Sequence, residues 1–217
     1  MICDTCTTTT YLINLHYSIH RHLFQRMMIV EAAKTAVNWL RGQSDFAHTC
    51  MAGASAGAVS ALVPNLQPQT AAAVNLTSMG VMLGTQCWVG FVAGPTMFTN
   101  MDRHAFGDIQ ARLFPKMGMV NMAMSALALT SYLCHNSPDI CSSLITSSLL
   151  INTLSSFVLF PVTTHYQYEM RKHEVGTPER KKAGMMFGIN HGTAVLLTYG
   201  SIMANIAYLY IIAAKIW

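Results

Sequence analysis

Charge is what this chain has least of. Only 10% of its 217 residues are Asp, Glu, Lys or Arg, against about 25% in ordinary soluble domains. Four long windows hold no charge at all: between Asp45 and Asp102, Lys116 and Asp139, Asp139 and Glu169, and Lys182 and Lys215. A helix crosses the ~30 Å hydrocarbon core of a bilayer with about 20 mostly apolar residues. A central Asp, Lys or Arg costs it about 2.5–3.5 kcal/mol. Each window has room for one such helix, which excludes a soluble globular fold. Enzyme motifs are also missing: there is no glycine-rich phosphate loop, no Gly-x-Ser-x-Gly elbow and no His-Glu-x-x-His pair. A non-catalytic protein with no cofactor is expected. No Lys/Arg run is interleaved with aromatics, which argues against nucleic acid as a partner. A secretory signal with an early basic region and a cleavage site is absent too.

What remains is apolar: hydrophobic residues make up 52% of the chain. The prediction is an all-α, polytopic membrane four-helix bundle over residues 70–217, preceded by an N-terminal extension of amphipathic or interfacial helices over 1–69. The spans are expected within 70–98, after Pro64 and Pro68, and at about 117–132, 140–166 and 183–214. The uncharged run 46–63 is mainly Ala, Gly and Ser. It offers little transfer energy, and a surface or re-entrant helix is expected there rather than a fifth span.

Four spans place both termini on one side. The loop after the first span carries Arg103, Arg112 and Lys116, and the loop after the third carries Arg171, Lys172, Arg180, Lys181 and Lys182. The loop between the second and third spans has no Lys or Arg. Short basic loops stay on the side where the chain is made or retained. Residues 5–30 have no Asp or Glu but include Arg21 and Arg26, a composition that resembles mitochondrial targeting segments and also suits a helix lying on a membrane. The expected location is the mitochondrial inner membrane, with any targeting segment uncleaved and the termini facing the intermembrane space.

Small residues recur every fourth position: Gly80 with Gly84, Gly90 with Gly94, and Gly184 with Gly188 and Gly192. Such ridges let helix backbones approach closely, within one chain or between chains. Gln86, Asn121, Asn190 and His191 are polar residues inside the spans, joined there by Asn152 and Asn205. They mark either a pathway or hydrogen bonds that set helix packing. Arg103 and His104 stand where a basic loop meets headgroups and suit a lipid phosphate.

Cysteine and histidine offer three weaker constellations. Cys3 and Cys6 with His16 and His20 have Zn²⁺-like ligand types, but the Thr-rich run between them lacks the hydrophobics of a finger. Cys134 and Cys141 bracket one loop and are candidates for a disulfide. His165, Glu169 and His173 share a helical face without a fourth ligand.

The run 84–94, with Trp88 and Phe91 inside it, then Phe98, then Arg103, His104, Ala105, Phe106 and Gly107, Gln110, and Leu113-Phe114-Pro115, resembles the transmembrane protein 205 family. Asn190-His191-Gly192 matches a His-Gly pair of that family. The resemblance covers about 75–214 and implies a four-helix membrane domain without established catalytic residues. The extension before it suggests recruitment to partners. The leading expectation is therefore an accessory subunit of a larger membrane assembly, of respiratory or ATP synthase type, contacting other membrane subunits and phospholipid. The alternative is a small-molecule or lipid transporter, acting alone or as a homo-oligomer. A cavity lined by Gln86, Asn121, Asn190 and His191 favours the transporter, and mutual bonding of these residues in a closed bundle disfavours it.

Overall fold

The computed structural model describes residues 66–216. Most of the 1–69 extension, the Cys3, Cys6, His16 and His20 set and the 46–63 segment lie outside the described residues. Four helical rods follow one another up and down, with no strand among the described residues. The first comprises α1 (Pro68–Cys87), a π-helical stretch (Trp88–Ala93) and α2 (Gly94–Asn100). The second is α3 (Arg103–Leu133). The third comprises α4 (Ile140–Leu154), a second π-helical stretch (Ser155–Leu159) and α5 (Phe160–Lys172). The fourth is α6 (Pro178–Ile216).

The two π stretches share a cause. The Gly94 N–H donates to Val89 O and the Phe160 N–H to Ser155 O, five residues back in each case. Each stretch stands just before a proline, Pro95 or Pro161, whose ring crowds the carbonyl four residues behind it and has no N–H to offer. Widening the turn relieves the crowding and lets the rod continue.

The ends are set by short polar side chains. Asp102 accepts from the His104 and Ala105 N–H groups and starts α3. Those bonds hold its carboxyl below the usual carboxylate range. Asp139 and Ser142 exchange backbone and side-chain bonds in a capping box at α4. Between the third and fourth rods Gly176 has φ = 100°, a left-handed turn that favours glycine. Arg180 reaches back across this turn, donating to the carbonyls of Met170 and His173 at 3.0 and 2.9 Å, so the end of α5 is closed.

Consecutive rods pack side by side, and α6 returns to α1. One apolar cluster, with Met79, Ile145 and Tyr208, fills the end near the 134–139 loop. Another, with Met117, Phe160 and Ala194, lies nearer the basic loops. The tight crossings are between the second and third rods. A Cβ on Gly118 would fall 2.2 Å from Ser156 Oγ, and one on Gly107 would fall 1.7 Å from Gln167 Nε2. These two glycines are eleven residues apart, close to three helical turns, and so share one face.

The expected glycine ridges behave differently. Gly80, Gly84, Gly90, Gly188 and Gly192 have nothing within 4 Å of a built Cβ, whereas Gly184 touches Met170 Sδ at 3.4 Å and Gly94 meets only its own Val89 backbone. Apart from Gly184, they form no helix crossing among the described residues.

Three rods, Pro68–Asn100, Ile140–Lys172 and Pro178–Lys215, are long and apolar enough to cross a membrane. The second rod is not among them. Its uncharged part begins at Met117 and carries Asn121, Ser125 and Ser131, all turned into the bundle. The chain is a multi-pass membrane protein in which the most polar rod is held between two apolar ones.

Candidate functional site

Buried amides and hydroxyls from all four rods meet along the bundle axis. Gln86 on α1 donates to Asn152 Oδ1 at 3.2 Å and to Ser201 Oγ at 3.0 Å, and accepts from Asn205 Nδ2 at 3.3 Å. Asn152 in turn donates to Ser125 on α3 at 3.1 Å, and Ser148 pairs with Ser201 at 2.6 Å. About three turns along α1 from Gln86, towards the 134–139 loop, Asn75 donates to Ala128 O at 2.7 Å and accepts from the Tyr208 hydroxyl. Bonds of this kind in membranes are worth about 0.6 kcal/mol on average, so the array ties the rods through number. Among the described residues, four buried side-chain oxygens have no hydrogen-bond partner: Asn121 Oδ1, Ser155 Oγ, Thr163 Oγ1 and Asn205 Oδ1. Buried acceptors of this sort suit a water or a ligand donor.

Below Gln86, towards the basic loops, the rods separate. Past the first π stretch α2 buries none of its residues and leans on α3 through an edge-to-face pair, Phe98 with Phe106 at 5.5 Å. A cleft of about 540 Å³ opens between the four rods. Its walls are mostly apolar and aromatic, including Phe114 stacked on Phe160 at 5.3 Å and Phe187 stacked on His191 at 5.4 Å. Gln86 forms its inner end, while Gln110 and Gln167 lie towards the loops.

At the mouth, Arg171 clamps the second and third rods. It donates to Asp108 at 2.6 Å and to His104 O at 2.9 Å, and stacks over Tyr168 at 5.1 Å. This bond holds the Asp108 carboxyl below its ordinary range. Arg103, Arg112, Lys116, Lys181 and Lys182 are exposed around it and have no carboxylate partner among the described residues.

Of the intramembrane polar residues picked from sequence, Gln86 and His191 line the cleft, and Asn121 and Asn190 do not. Asn121 is buried beneath Ser125, and Asn190 back-bonds to Met186 O at 2.8 Å. Arg103 and His104 occupy the first turn of α3 and are exposed. Ser125, Ser148 and Ser201 escape sequence reasoning because serine is common in membrane helices, where its hydroxyl is usually satisfied by the preceding turn. Cys134 and Cys141 are free thiols. Glu169 pairs with Lys172 at 2.5 Å and lies 3.9 Å from His173. Among the described residues no three His, Cys, Asp or Glu side chains gather as a metal site.

No solved structure matches this chain. Residues 77–172, which run from the third turn of α1 to the last residue of α5 and so include most of the first rod, the second and third rods and most of the cleft wall, match the family described as a domain of unknown function, DUF4149.

Proposed function

We propose that this chain is a non-catalytic membrane protein that holds an amphiphilic small molecule or lipid in the cleft between its rods, as a carrier or binding protein. One observation carries the reading: an apolar, aromatic-walled cleft of about 540 Å³ closed at one end by the Gln86 amide. That volume lies within the ~300–1,000 Å³ typical of small-molecule sites, and such sites combine apolar walls with a few convergent polar groups. The sequence block that resembles the transmembrane protein 205 family supports the same place, since Gly90, Gly94, Phe98, Phe106 and Gln110 all line the cleft.

The test is to purify the full chain gently and identify co-purifying small molecules by mass spectrometry, comparing the natural sequence with Gly90→Leu. A Cβ at Gly90 meets nothing within 4 Å and Gly90 lines the cleft, so leucine is expected to narrow the cleft, with circular dichroism checking that the fold is kept. Loss of a co-purifying amphiphile in Gly90→Leu supports the reading. An identical lipid complement in both proteins overturns it.

A second reading, an accessory subunit of a larger membrane assembly, is favoured by the outward glycines. Gly80 and Gly84 on α1 and Gly188 on α6 are exposed with open space beside them, which leaves faces suited to neighbouring helices. The acid-poor N-terminal composition and the basic 103–116 and 171–182 segments support a mitochondrial inner membrane setting with the termini in the intermembrane space. Migration of the solubilised 23.8 kDa chain with a large assembly on a native gel supports the subunit reading; migration alone or as a small homo-oligomer sinks it.

A further inference from the structure

We infer that the occupant of the cleft is an anionic amphiphile, its apolar chain between the aromatic walls and its negatively charged head at the loop end against Arg103, Gln110 and Gln167. The inference rests on the cleft reading above and adds the charge and orientation of the ligand.

Three observations meet here. Arg103 precedes Phe106, Gln110 and Phe114 by three, seven and eleven residues, so it shares their face of α3, and those three line the cleft. Arg103 therefore continues the cleft stripe to the mouth, exposed and without a carboxylate partner among the described residues. Next, the side chains of Gln110 and Gln167, both half-buried in the lining, make no hydrogen bond among the described residues. Two amides and a guanidinium thus supply unused donors at one end of an apolar cleft, the donor set that carboxylate or phosphate oxygens accept from.

Third, charge is distributed unequally along the bundle. Asp108 is neutralised by Arg171 and Glu169 by Lys172. That leaves Arg103, Arg112, Lys116, Arg180, Lys181 and Lys182 against Asp102, Glu174 and Glu179 at the loop end. Among the described residues the far end has only the Asp139–Lys215 pair at 3.4 Å. A cation entering the cleft would meet repulsion at the mouth and no carboxylate inside; an anion meets attraction at the mouth and free donors beyond it.

The experiment uses the full chain in phosphatidylcholine nanodiscs, titrated with a fluorescent alkyl phosphate and with the uncharged alkyl alcohol of the same chain. The phosphate is expected to bind more tightly. Arg103→Gln is expected to weaken it about tenfold, the loss of one charge-assisted contact, and to leave the alcohol unchanged. Arg112→Gln is the control, because Arg112 is nine residues from Arg103, on the opposite face of α3, and is expected to change little. If phosphate and alcohol bind equally and Arg103→Gln alters neither, while Gly90→Leu still blocks both, the cleft stands and the anionic inference falls. If Gly90→Leu blocks nothing, both fall. Displacement of the probe by inorganic phosphate alone would show a free-anion site and overturn the amphiphile inference.

Discussion

Replacing one glycine at a time by alanine separates the crossing this bundle uses from the ridge its sequence advertises. At Gly84 the new methyl meets nothing within 4 Å. The helix then gains the alanine preference, up to about 1 kcal/mol. At Gly118 the same methyl falls 2.2 Å from Ser156 Oγ, 3.1 Å from Ser156 Cβ and 3.3 Å from Phe160 Cε2. Rotating Ser156 removes only the first contact, and its hydroxyl is already committed to Asn152 O at 2.6 Å. The second and third rods must move apart, a strain of about 1–3 kcal/mol for overpacking a filled interior. The helix-preference gain is common to both sites and cancels in the difference. Gly118→Ala should therefore be about 1–3 kcal/mol less stable than Gly84→Ala, and Ser156→Gly in the Gly118→Ala background should recover most of the gap. The assay is unfolding by sodium dodecyl sulfate in mixed micelles, followed by circular dichroism. Equal midpoints for the two single variants would refute the crossing at Gly118.

Gln86→Leu removes three interhelical bonds and is expected to cost about 2 kcal/mol at membrane values per bond; the same titration reads it, and an unchanged midpoint would deny the array a structural role. Asp108→Asn tests the clamp through pH. Because Arg171 holds the Asp108 carboxyl below its ordinary value of 3.8, the stability it contributes is complete above that value and is lost as pH falls through the lowered one. Natural protein and variant should differ in Tm at neutral pH, begin to converge only below about pH 4 and coincide once pH is under the lowered value, and a gap that persists in strong acid would remove the ion pair from the explanation. In chains retaining a single cysteine, Cys134 should react with a maleimide in the folded state and the fully buried Cys141 only after denaturation; equal labelling would contradict the packing of α4.

Much of the architecture was legible because charge is expensive in lipid. The gaps ending at Asp102, Asp139, Glu169 and Lys215 place all four rods, and the third begins at Ile140 as expected. The second rod begins at Arg103, well before the expected 117, because Asp102 caps it and the helix carries Pro115 inside it. Charge patterning marks where a helix is apolar, and a helix extends further than that. The π stretches were hidden because a proline in a span does not announce how the chain accommodates it. The Gly107–Gly118 face was missed because its spacing is three full turns, whereas the four-residue motif led to glycines of which Gly80, Gly84 and Gly188 look outward and Gly90 and Gly94 line the cleft. Gln86 and His191 were found at the cleft because each is a strongly polar side chain inside an uncharged span. Gln110 and Gln167 lie near charged loops, where a glutamine draws no notice.

The array around Gln86, Asn152, Ser201 and Asn205 is made wholly of neutral groups. A formal charge displaced across a membrane couples to its voltage at about 2.3 kcal/mol per 100 mV, and amides and hydroxyls carry none. Any rearrangement confined to this array moves almost no gating charge, and an electrical gradient has no handle on it. Such a rearrangement keeps the same balance of states when a membrane potential collapses.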